Sequence, residues 1–328
     1  MTNKVCFGNV VTAMVTPFMP EDVHTVDLDG VELLANYLLK NGTDTILLTG
    51  STGEGKQLLP KEKWDIVKRV RNFTPKGSSI MVATSDGKTS AAIDQAKTAF
   101  ELGADSILVA VPEYEKPSQK ALLIHFSAIA KAINGKPMMI YNIPGRTGKE
   151  ILPRTVAQLA DENPNIVGIK QSMGDMDKVT ALKVLCPPNF QIYSGDDSLT
   201  LPMLALGAQG VVSVMSHLEG KLIGEMISEF KKGHVSQAQR THLFLHPLLS
   251  HVTMHDKDDD YANPLPVKEA LYQRGLISSP RARLLGEMSE TAKDDMSSYL
   301  RQIDKERSYF YERSTIARKF ERNQGERS

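Results

Sequence analysis

The sequence predicts an α/β fold, a (β/α)8 TIM barrel with a C-terminal helical extension. Eight short apolar runs rich in β-branched residues recur up to about residue 214, and segments with the spacing of amphipathic helices lie between them. The runs are too short for helices, and most lack the polar alternation of half-exposed strands, which is typical of parallel strands buried on both faces. Eight such strand–helix units favour a closed barrel over an open sheet.

The predicted strands follow one another at intervals that leave room for a helix. In chain order they are 10–15, 45–48, 80–83, 106–111, 138–141, 166–169, 191–193 and 210–214. In the segment 28–40 the apolar residues fall on one face of a helix, with Asp27 as its N-cap and Gly42 just past its end. The segment 90–102 repeats this design and stops at Gly103. We therefore expect helices to alternate with the strands.

Further helical patterns follow the eighth strand, at 221–232, 236–249, 266–273 and 290–303. They exceed what a minimal barrel needs, so we expect a barrel over 1–218 and a C-terminal helical region over 219–303. The remaining segment, 304–328, carries many charges of both signs and few aliphatic residues. It predicts a frayed helix or a disordered tail. An arm that packs on a neighbouring subunit is the alternative.

The composition is that of an ordinary globular protein. Of the 328 residues 41% are hydrophobic, and 39 Lys and Arg balance 39 Asp and Glu. This zero net charge argues against nucleic acid or an acidic membrane surface as a partner. No apolar stretch predicts a membrane span, and the N-terminal residues lack the pattern of a signal peptide. Cys6 and Cys186 have no disulfide or metal-site spacing, so we expect a cytoplasmic protein.

The second predicted strand ends in a glycine-rich run, G-S-T-G-E-G-K at 50–56. The run matches the first part of a phosphate-binding P-loop, but Gln57 stands where that loop needs Ser or Thr to bind Mg²⁺. We prefer the interpretation that loop amides and the hydroxyls of Ser51 and Thr52 bind a small anion such as a carboxylate. The alternative is a plain glycine-rich turn.

Two other strand ends carry reactive side chains, at the end of a barrel where catalytic residues are found. Tyr141 ends the fifth strand and can relay protons, and Arg146 follows at a distance that suits carboxylate binding. Lys170 ends the sixth strand, and a buried lysine amine can attack a ketone to form a Schiff base. The alternatives are a core tyrosine, a solvated arginine and a lysine that extends out of the barrel mouth.

Four segments resemble the same family. They are G-S-T-G-E at 50–54, Y-N-I-P at 141–144 with Arg146, G-I-K at 168–170 and S-G-D-D at 194–197. In this order and spacing they resemble the dihydrodipicolinate synthase / N-acetylneuraminate lyase family of pyruvate-dependent class I aldolases. The resemblance covers about residues 10 to 303 and leaves the last 25 or so residues outside it. Any one motif is weak, but four in register are specific.

The resemblance implies a covalent mechanism. Lys170 would form an imine with pyruvate, so neither a cofactor nor a metal is expected. Tyr141 would shuttle protons, and Thr52 would link Tyr141 to a second tyrosine. In this family the neighbouring subunit supplies that tyrosine, and Tyr114 fits the place. The resemblance therefore implies a homo-oligomer, at least a dimer and, by family likeness, a tetramer built as a dimer of dimers.

The resemblance also implies the substrates. Ser51 and Thr52 would hold the pyruvate carboxylate, and Gly195 and Val212 would line the pyruvate pocket through backbone groups. Arg146 would receive the carboxylate of L-aspartate-4-semialdehyde. The expected reaction is the aldol condensation of these two substrates to 4-hydroxy-tetrahydrodipicolinate, in lysine and diaminopimelate biosynthesis. The alternatives are an N-acetylneuraminate or 2-keto-3-deoxy-sugar-acid lyase of the same family, and a non-catalytic binding or regulatory relative.

The chain departs from the family pattern in two places. Ser51 stands where the synthase usually has threonine; it keeps the hydroxyl and loses a methyl group that restricts the rotamer. Members inhibited by lysine carry a polar site at the subunit junction. That site includes a glutamate, an asparagine and a tyrosine, and the corresponding positions here are Ala91, Gly87 and Glu113, with Lys56 and Pro60 also out of pattern. We therefore expect that L-lysine does not inhibit this protein.

The histidines near the C-terminus do not predict a metal site. His242 and His246, and His251 and His255, are two pairs with i, i+4 spacing. Neither pair has the glutamate of an H-E-x-x-H motif, so we expect ordinary surface and loop histidines. The acidic run at 256–260 predicts a solvated loop.

Overall fold

A closed barrel of eight parallel strands forms the centre of the protein. The computed structural model describes residues 7–75, 77–252 and 261–325. Each strand pairs with the next, and the eighth pairs with the first. The strands are β1 (Val10–Ala13), β2 (Thr45–Leu48), β3 (Ser79–Ala83), β4 (Ser106–Ala110), β5 (Met138–Asn142), β6 (Ile166–Gln171), β7 (Gln191–Ser194) and β8 (Gly210–Ser213). The predicted TIM barrel is confirmed, with strand ends that differ by at most two residues.

Helices surround the barrel and continue past β8. They are α1 (Leu28–Lys40), α2 (Pro60–Phe73), α3 (Thr89–Glu101), α4 (Gln119–Ala132), α5 (Pro144–Thr147), α6 (Pro153–Glu162), α7 (Met176–Leu185), α8 (Thr200–Ala205), α9 (Ser216–Lys231), α10 (Val235–Val252), α11 (Leu265–Gln273) and α12 (Glu290–Gly325). A short 3-10 turn, Asp197–Leu199, precedes α8. The predicted C-terminal helical extension is confirmed as α9 to α12.

Helix α1 shows how the local sequence sets an element. The Asp27 carboxylate accepts the N–H of Gly30 at 2.8 Å and so caps the first turn. Val31 and Leu34 are fully buried against the barrel, as the 3.6-residue spacing predicts. Gly42 has a φ of +96°, which a residue with a side chain adopts at a cost, and the chain turns there towards β2.

Two apolar layers hold the fold together. The larger layer lies between the strands and the helices. The smaller one fills the inside of the barrel with Phe7, Val11, Ala13, Leu47, Met81, Leu108, Met139, Tyr141, Tyr193 and Val212. Since side chains pack the interior, the barrel has no open channel among these residues, and reactive groups are found at the C-terminal ends of the strands.

The C-terminal helices cross both predicted domain boundaries. Residue 218 lies inside α9, and α12 continues without a break across residue 303. Arg307 of α12 forms an ion pair with the buried Glu219, which sits at a kink in α9, and the ring of Phe310 stacks on Phe244 with 4.4 Å between centroids. The backbone of 304–325 is therefore helical, and 326–328 lie outside the described residues. The domain division and the subunit-contacting arm stay predictions.

Metal binding and membrane insertion find no support in the described parts of the chain. There, no helix combines the length and the apolar character that a membrane crossing needs. Over the same residues, His, Cys, Asp and Glu side chains do not gather into a group of three or more that could hold a metal ion. His251 stacks on Tyr299 at 3.8 Å and is a packing residue. Cys6, His255 and the acidic run at 256–260 lie outside the described residues.

His217 is a buried histidine that joins two strand ends in its neutral form. Its Nε2 accepts the N–H of Val15 at 3.1 Å, and its Nδ1 donates to the carbonyl oxygen of Val214 at 2.7 Å. Burial lowers the pKa of the ring to about 4. The unfolded chain, with a histidine pKa of about 6.5, binds one more proton between these values. Acidification through this window is therefore expected to lower the free energy of unfolding by about 3 kcal/mol.

A comparison of the wild type with His217→Gln isolates the contribution of this proton to the free energy of unfolding. Other groups titrate in both proteins, including Asp197, whose buried carboxyl has a raised pKa and acts in the opposite direction. Urea unfolding at about pH 7 and about pH 5 should show a smaller acid-induced loss of stability in the variant than in the wild type. Equal losses in the two proteins would contradict the prediction.

Candidate active site

A cavity of about 350 Å³ opens at the C-terminal ends of the strands. Residues of all six strands from β1 to β6 line it, together with residues of the loops that follow several of them. Five of the predicted site residues line it: Ser51, Thr52, Tyr141, Arg146 and Lys170. The convergence of parallel strand ends thus brings together residues that are up to 119 positions apart in the chain (51 to 170).

Lys170 and Tyr141 form the centre of the cavity. They are paired residues in the register of the neighbouring strands β6 and β5. Lys170 is only 5% exposed, and its Nζ lies 4.2 Å from the centroid of the Tyr141 ring. The lysine therefore stays inside the barrel, and the alternative of a side chain that extends out of the mouth is wrong.

The glycine-rich run forms a tight turn between β2 and α2. The N–H of Glu54 donates to the carbonyl of Ser51 at 3.1 Å, and the N–H of Gly55 donates to that of Gly50 at 3.0 Å. A Cβ on Gly55 would lie 1.9 Å from the Thr49 carbonyl oxygen, so this position requires glycine. Helix α2 begins at residue 60, four positions after the run ends, whereas a P-loop leads directly into its helix.

The two hydroxyl residues of this turn differ in environment. Ser51 is exposed to the cavity, whereas Thr52 is 3% exposed. The Oγ1 of Thr52 accepts a hydrogen bond from the Asn263 amide at 3.0 Å. Among the described residues the partner of this hydroxyl is thus in the C-terminal segment, and the link between Thr52 and Tyr141 stays a prediction.

Arg146 supplies a cation at the rim. It lies on the short helix α5, directly after β5, and it is exposed. Within residues 7–75, 77–252 and 261–325 it makes no ion pair or side-chain hydrogen bond, so its guanidinium is available to an anion. It also lines an adjoining groove of about 430 Å³, between the β2–α2 loop and the C-terminal segment.

Gly195 and Asp197 lie on the β7 side of Lys170. A Cβ on Gly195 would approach Lys170 Cε to 3.1 Å and clash with Ser172 Oγ, so glycine leaves room for the lysine. The Asp197 Oδ2 accepts the N–H groups of Val214 at 2.9 Å and Met215 at 3.0 Å. Burial raises the pKa of the Asp197 carboxyl, and the charge of Lys170 opposes this. Asp197 belongs to the S-G-D-D motif, but the sequence suggested no role for it.

Val212 and Tyr114 do not contact the cavity directly. Val212 is fully buried in the inner apolar layer together with Tyr141. Tyr114 follows β4 with a φ of +69° and is 88% exposed, while its neighbours Pro112 and Glu113 line the cavity. Tyr114 is thus an exposed residue beside the cavity, and its contribution to a neighbouring subunit's site stays a prediction.

Several residues that support the site come from the C-terminal segment and were not predicted. Asn263 contacts Thr52, and Lys268 and Arg283 contact Glu54 of the glycine-rich turn. One weak signal for them is present in the sequence: Lys268 lies among the apolar residues of a helical pattern, between Val267 and Leu271. Its partner Glu54 is 214 residues away in the chain, so a local pattern could not reveal the pair.

Class I aldolases form a Schiff base on a buried lysine, and a TIM barrel with Lys170 beside Tyr141 belongs to this class by its arrangement. The model of the dihydrodipicolinate synthetase family matches residues 6–303. The chain belongs to this family. The match ends where the charged segment of α12 begins.

Named relatives are similar over most of the chain. The 4-hydroxy-tetrahydrodipicolinate synthase of Thermosynechococcus vestitus is 42% identical over 298 residues, which is 90% of this chain and 96% of the relative. That of Desulforamulus reducens is 40% identical over 300 residues, 90% and 98% of the two chains. Among solved structures, the Cyanidioschyzon merolae enzyme with lysine bound has a TM-score of 0.86 at 36% identity and covers 91% of this chain and 98% of its own.

Proposed function

We propose that this chain condenses pyruvate with L-aspartate-4-semialdehyde to 4-hydroxy-tetrahydrodipicolinate, through a Schiff base on Lys170. The observation that carries the proposal is the buried Lys170 amine beside Tyr141, on a cavity that also presents Ser51 and Arg146. The relatives at 42–45% identity that carry the synthase name support the reaction. Nothing in the comparisons favours a sugar-acid lyase or a non-catalytic relative.

The first half of the reaction joins pyruvate to the enzyme. The lone pair of Lys170 Nζ attacks the ketone carbon, the C–N bond forms, and the ketone oxygen takes protons and leaves as water. Tyr141 is the neighbouring hydroxyl residue, and it supplies and accepts these protons. The protonated imine withdraws electrons, so a proton leaves the pyruvate methyl group and an enamine forms.

The second half of the reaction forms the carbon–carbon bond and releases the product from Lys170. The enamine carbon attacks the aldehyde carbon of the second substrate, whose oxygen takes a proton. The amine of that substrate then displaces Lys170 from the imine carbon, which closes the ring and restores the lysine. During these steps the hydroxyls of Ser51 and Thr52 and the amides of their turn bind the pyruvate carboxylate. Gly195 borders the pocket beside Lys170, and Val212 supports it from the inner apolar layer that also contains Tyr141.

Arg146→Ala tests the assignment of the second substrate. Loss of a charge-assisted contact to the aldehyde's carboxylate is expected to raise the KM for L-aspartate-4-semialdehyde by about 10- to 100-fold. Pyruvate should still be trapped on Lys170 by borohydride at the wild-type concentration. Steady-state kinetics and mass spectrometry measure the two effects.

Arg154→Ala is the matched control, because Arg154 is exposed on α6 and does not line the cavity. Its KM for the aldehyde should equal that of the wild type. An unchanged KM in Arg146→Ala, or an equal loss of pyruvate trapping, would contradict the assignment.

L-lysine is expected to leave the activity unchanged at millimolar concentration. At the edge of the cavity the Glu113 carboxylate already pairs with the ammonium of Lys56 at 2.9 Å, and this pair competes with the ammonium groups of a bound L-lysine. Gly87 and Ala91 offer no polar side chain. Initial rates with L-lysine, compared with an equal concentration of sodium chloride, measure the effect. Half-inhibition at or below millimolar lysine would refute the expectation.

The assembly is part of the same proposal. The exposure of Tyr114 supports a homo-oligomer in which this tyrosine completes the site of a neighbouring subunit, and family likeness suggests a tetramer. A similar solved structure is described as a monomeric variant of dihydrodipicolinate synthase, so family membership by itself leaves the size of the assembly open. The catalytic group is the lysine itself, so the proposal includes no cofactor and no metal, and it places the reaction in the cytoplasm.

A further inference from the structure

Glu54 is the buried acid of the β2–α2 turn, and the C-terminal part of the chain occupies both of its carboxylate oxygens. It is 6% exposed and has a φ of +54°. Its Oε1 accepts from Lys268 Nζ at 2.5 Å, and its Oε2 accepts the N–H of Arg283 at 2.8 Å. The turn is therefore anchored by residues 214 and 229 positions further along the chain.

Lys268 lies on α11 and is fully buried. Besides Glu54, its ammonium donates to the carbonyl of Arg281 at 2.9 Å and lies 4.1 Å from the centroid of the Phe18 ring. Burial lowers the pKa of Lys268 to about 8, and the charge of Glu54 opposes this lowering. Because a buried ion pair is costly to desolvate, it often stabilises a fold less than an apolar pair of the same shape. The two hydrogen bonds of Lys268 do fix the position of Glu54 relative to α11 and to the carbonyl of Arg281.

The anchored turn carries the hydroxyls of the cavity. Ser51 accepts the N–H of Glu54 through its carbonyl, at 3.1 Å. Thr52 receives the Asn263 amide at 3.0 Å, and Asn263 lies in the segment that leads into α11. The guanidinium of Arg283 binds Glu62 at 2.6 and 2.7 Å and so joins the same segment to α2. A displacement of Glu54 would therefore move Ser51 and Thr52.

We infer that Lys268 is a positioning residue: through Glu54 it holds the turn at 50–55 in the shape in which Ser51 and Thr52 bind the substrate carboxylate. Lys268 does not line the cavity, so it acts without touching the substrate. The inference rests on the proposed function for the identity of that substrate, pyruvate. The geometry of the anchor does not depend on it.

Lys268→Met in the full-length protein tests the inference. The KM for pyruvate, and the pyruvate concentration that half-saturates borohydride trapping on Lys170, should rise by about tenfold or more. The KM for the aldehyde should change much less. Arg274→Met is the matched control, because it removes the ion pair with Asp304 at 2.6 and 2.7 Å at the end of the same helix without a contact to the turn. Its KM for pyruvate should stay within about twofold of the wild type.

The double variant Glu54→Gln, Lys268→Met separates positioning from stability. Lys268→Met alone leaves the Glu54 carboxylate buried without its cation, so its thermal unfolding midpoint should fall. The double variant has no unpaired buried ion, so its midpoint should lie closer to the wild-type value. The anchor is still missing, so the KM for pyruvate should stay raised. A KM that recovers together with the thermal midpoint would overturn the inference.

Hydrogen exchange of the amides at 50–55 gives a readout that needs no activity. Exchange there should be faster in Lys268→Met than in Arg274→Met or the wild type. Equal exchange in the three proteins would overturn the inference. If the wild type forms no pyruvate adduct, the proposed function fails, and the exchange comparison still decides whether Lys268 positions the turn.

Discussion

Lys170→Ala is expected to lower kcat by at least about 10³-fold, because the covalent route needs an amine at this position. Trapping with pyruvate and borohydride, followed by peptide mass spectrometry, should give an adduct on Lys170 in the wild type and none in the variant. Lys170→Arg should be equally inactive, since the guanidinium keeps its proton and cannot attack a ketone. Loss of activity in both variants would show that position 170 must supply a nucleophilic amine, and that a positive charge there is not sufficient.

Lys63→Ala is the control for this experiment. Lys63 is another lysine on the cavity wall, and burial together with the charge of Lys56 lowers its pKa. It is therefore the competing candidate for the imine. The Lys63 variant should keep the adduct on Lys170. An adduct that maps to Lys63, or one that persists in Lys170→Ala, would exclude the proposed mechanism.

Tyr141→Phe is expected to lower kcat by about 10²- to 10³-fold and to change the KM for pyruvate little. The phenyl ring keeps the contact with Lys170 Nζ, which lies 4.2 Å from the ring centroid in the wild type, so the lysine stays in place. Only the hydroxyl that transfers protons is lost. Stopped-flow trapping should show the adduct at its normal position, formed slowly.

Tyr193→Phe is the matched control, since Tyr193 is the register partner of Lys170 on the opposite side, on β7. Its hydroxyl donates to the carbonyl of Gly8 at 2.7 Å inside the barrel, away from the proposed chemistry. Measured below the unfolding temperature, its kcat should stay within a few-fold of the wild type. A similar loss of kcat in both tyrosine variants would show that packing, and not proton transfer, explains the effect of Tyr141.

The barrel could be predicted from local sequence patterns because each of its strands and helices is determined largely by its own short segment. The cap at Asp27 and the turn at Gly42 bound α1 as expected, and each buried strand has its own apolar run. Lys170 and Tyr141 could be placed in one cavity because the ends of parallel strands converge. This reasoning needs only the order of the elements and the residue at the end of each strand.

The support of the site could not be predicted in this way. Asn263, Lys268 and Arg283 act through contacts 211 to 229 residues distant, and apart from the buried position of Lys268 in its helix, their own segments do not distinguish them from ordinary helix and loop residues. The first part of α12 was predicted at 290–303, but its continuation to Gly325 was left open, because charged residues of both signs are equally compatible with a solvated helix and with a disordered tail. Tyr114 was identified only by resemblance, since no local pattern distinguishes it from an ordinary exposed loop tyrosine.

The distant anchor of the glycine-rich turn has a consequence for synthesis. Residues 50–55 leave the ribosome more than 200 residues before Asn263, Lys268 and Arg283. At about 5–20 residues per second this interval is on the order of 10–40 s. During synthesis the turn at 50–55 therefore exists for this interval without the residues that later anchor it. A chain whose translation stops before α11 would lack the residues that anchor the turn at 50–55.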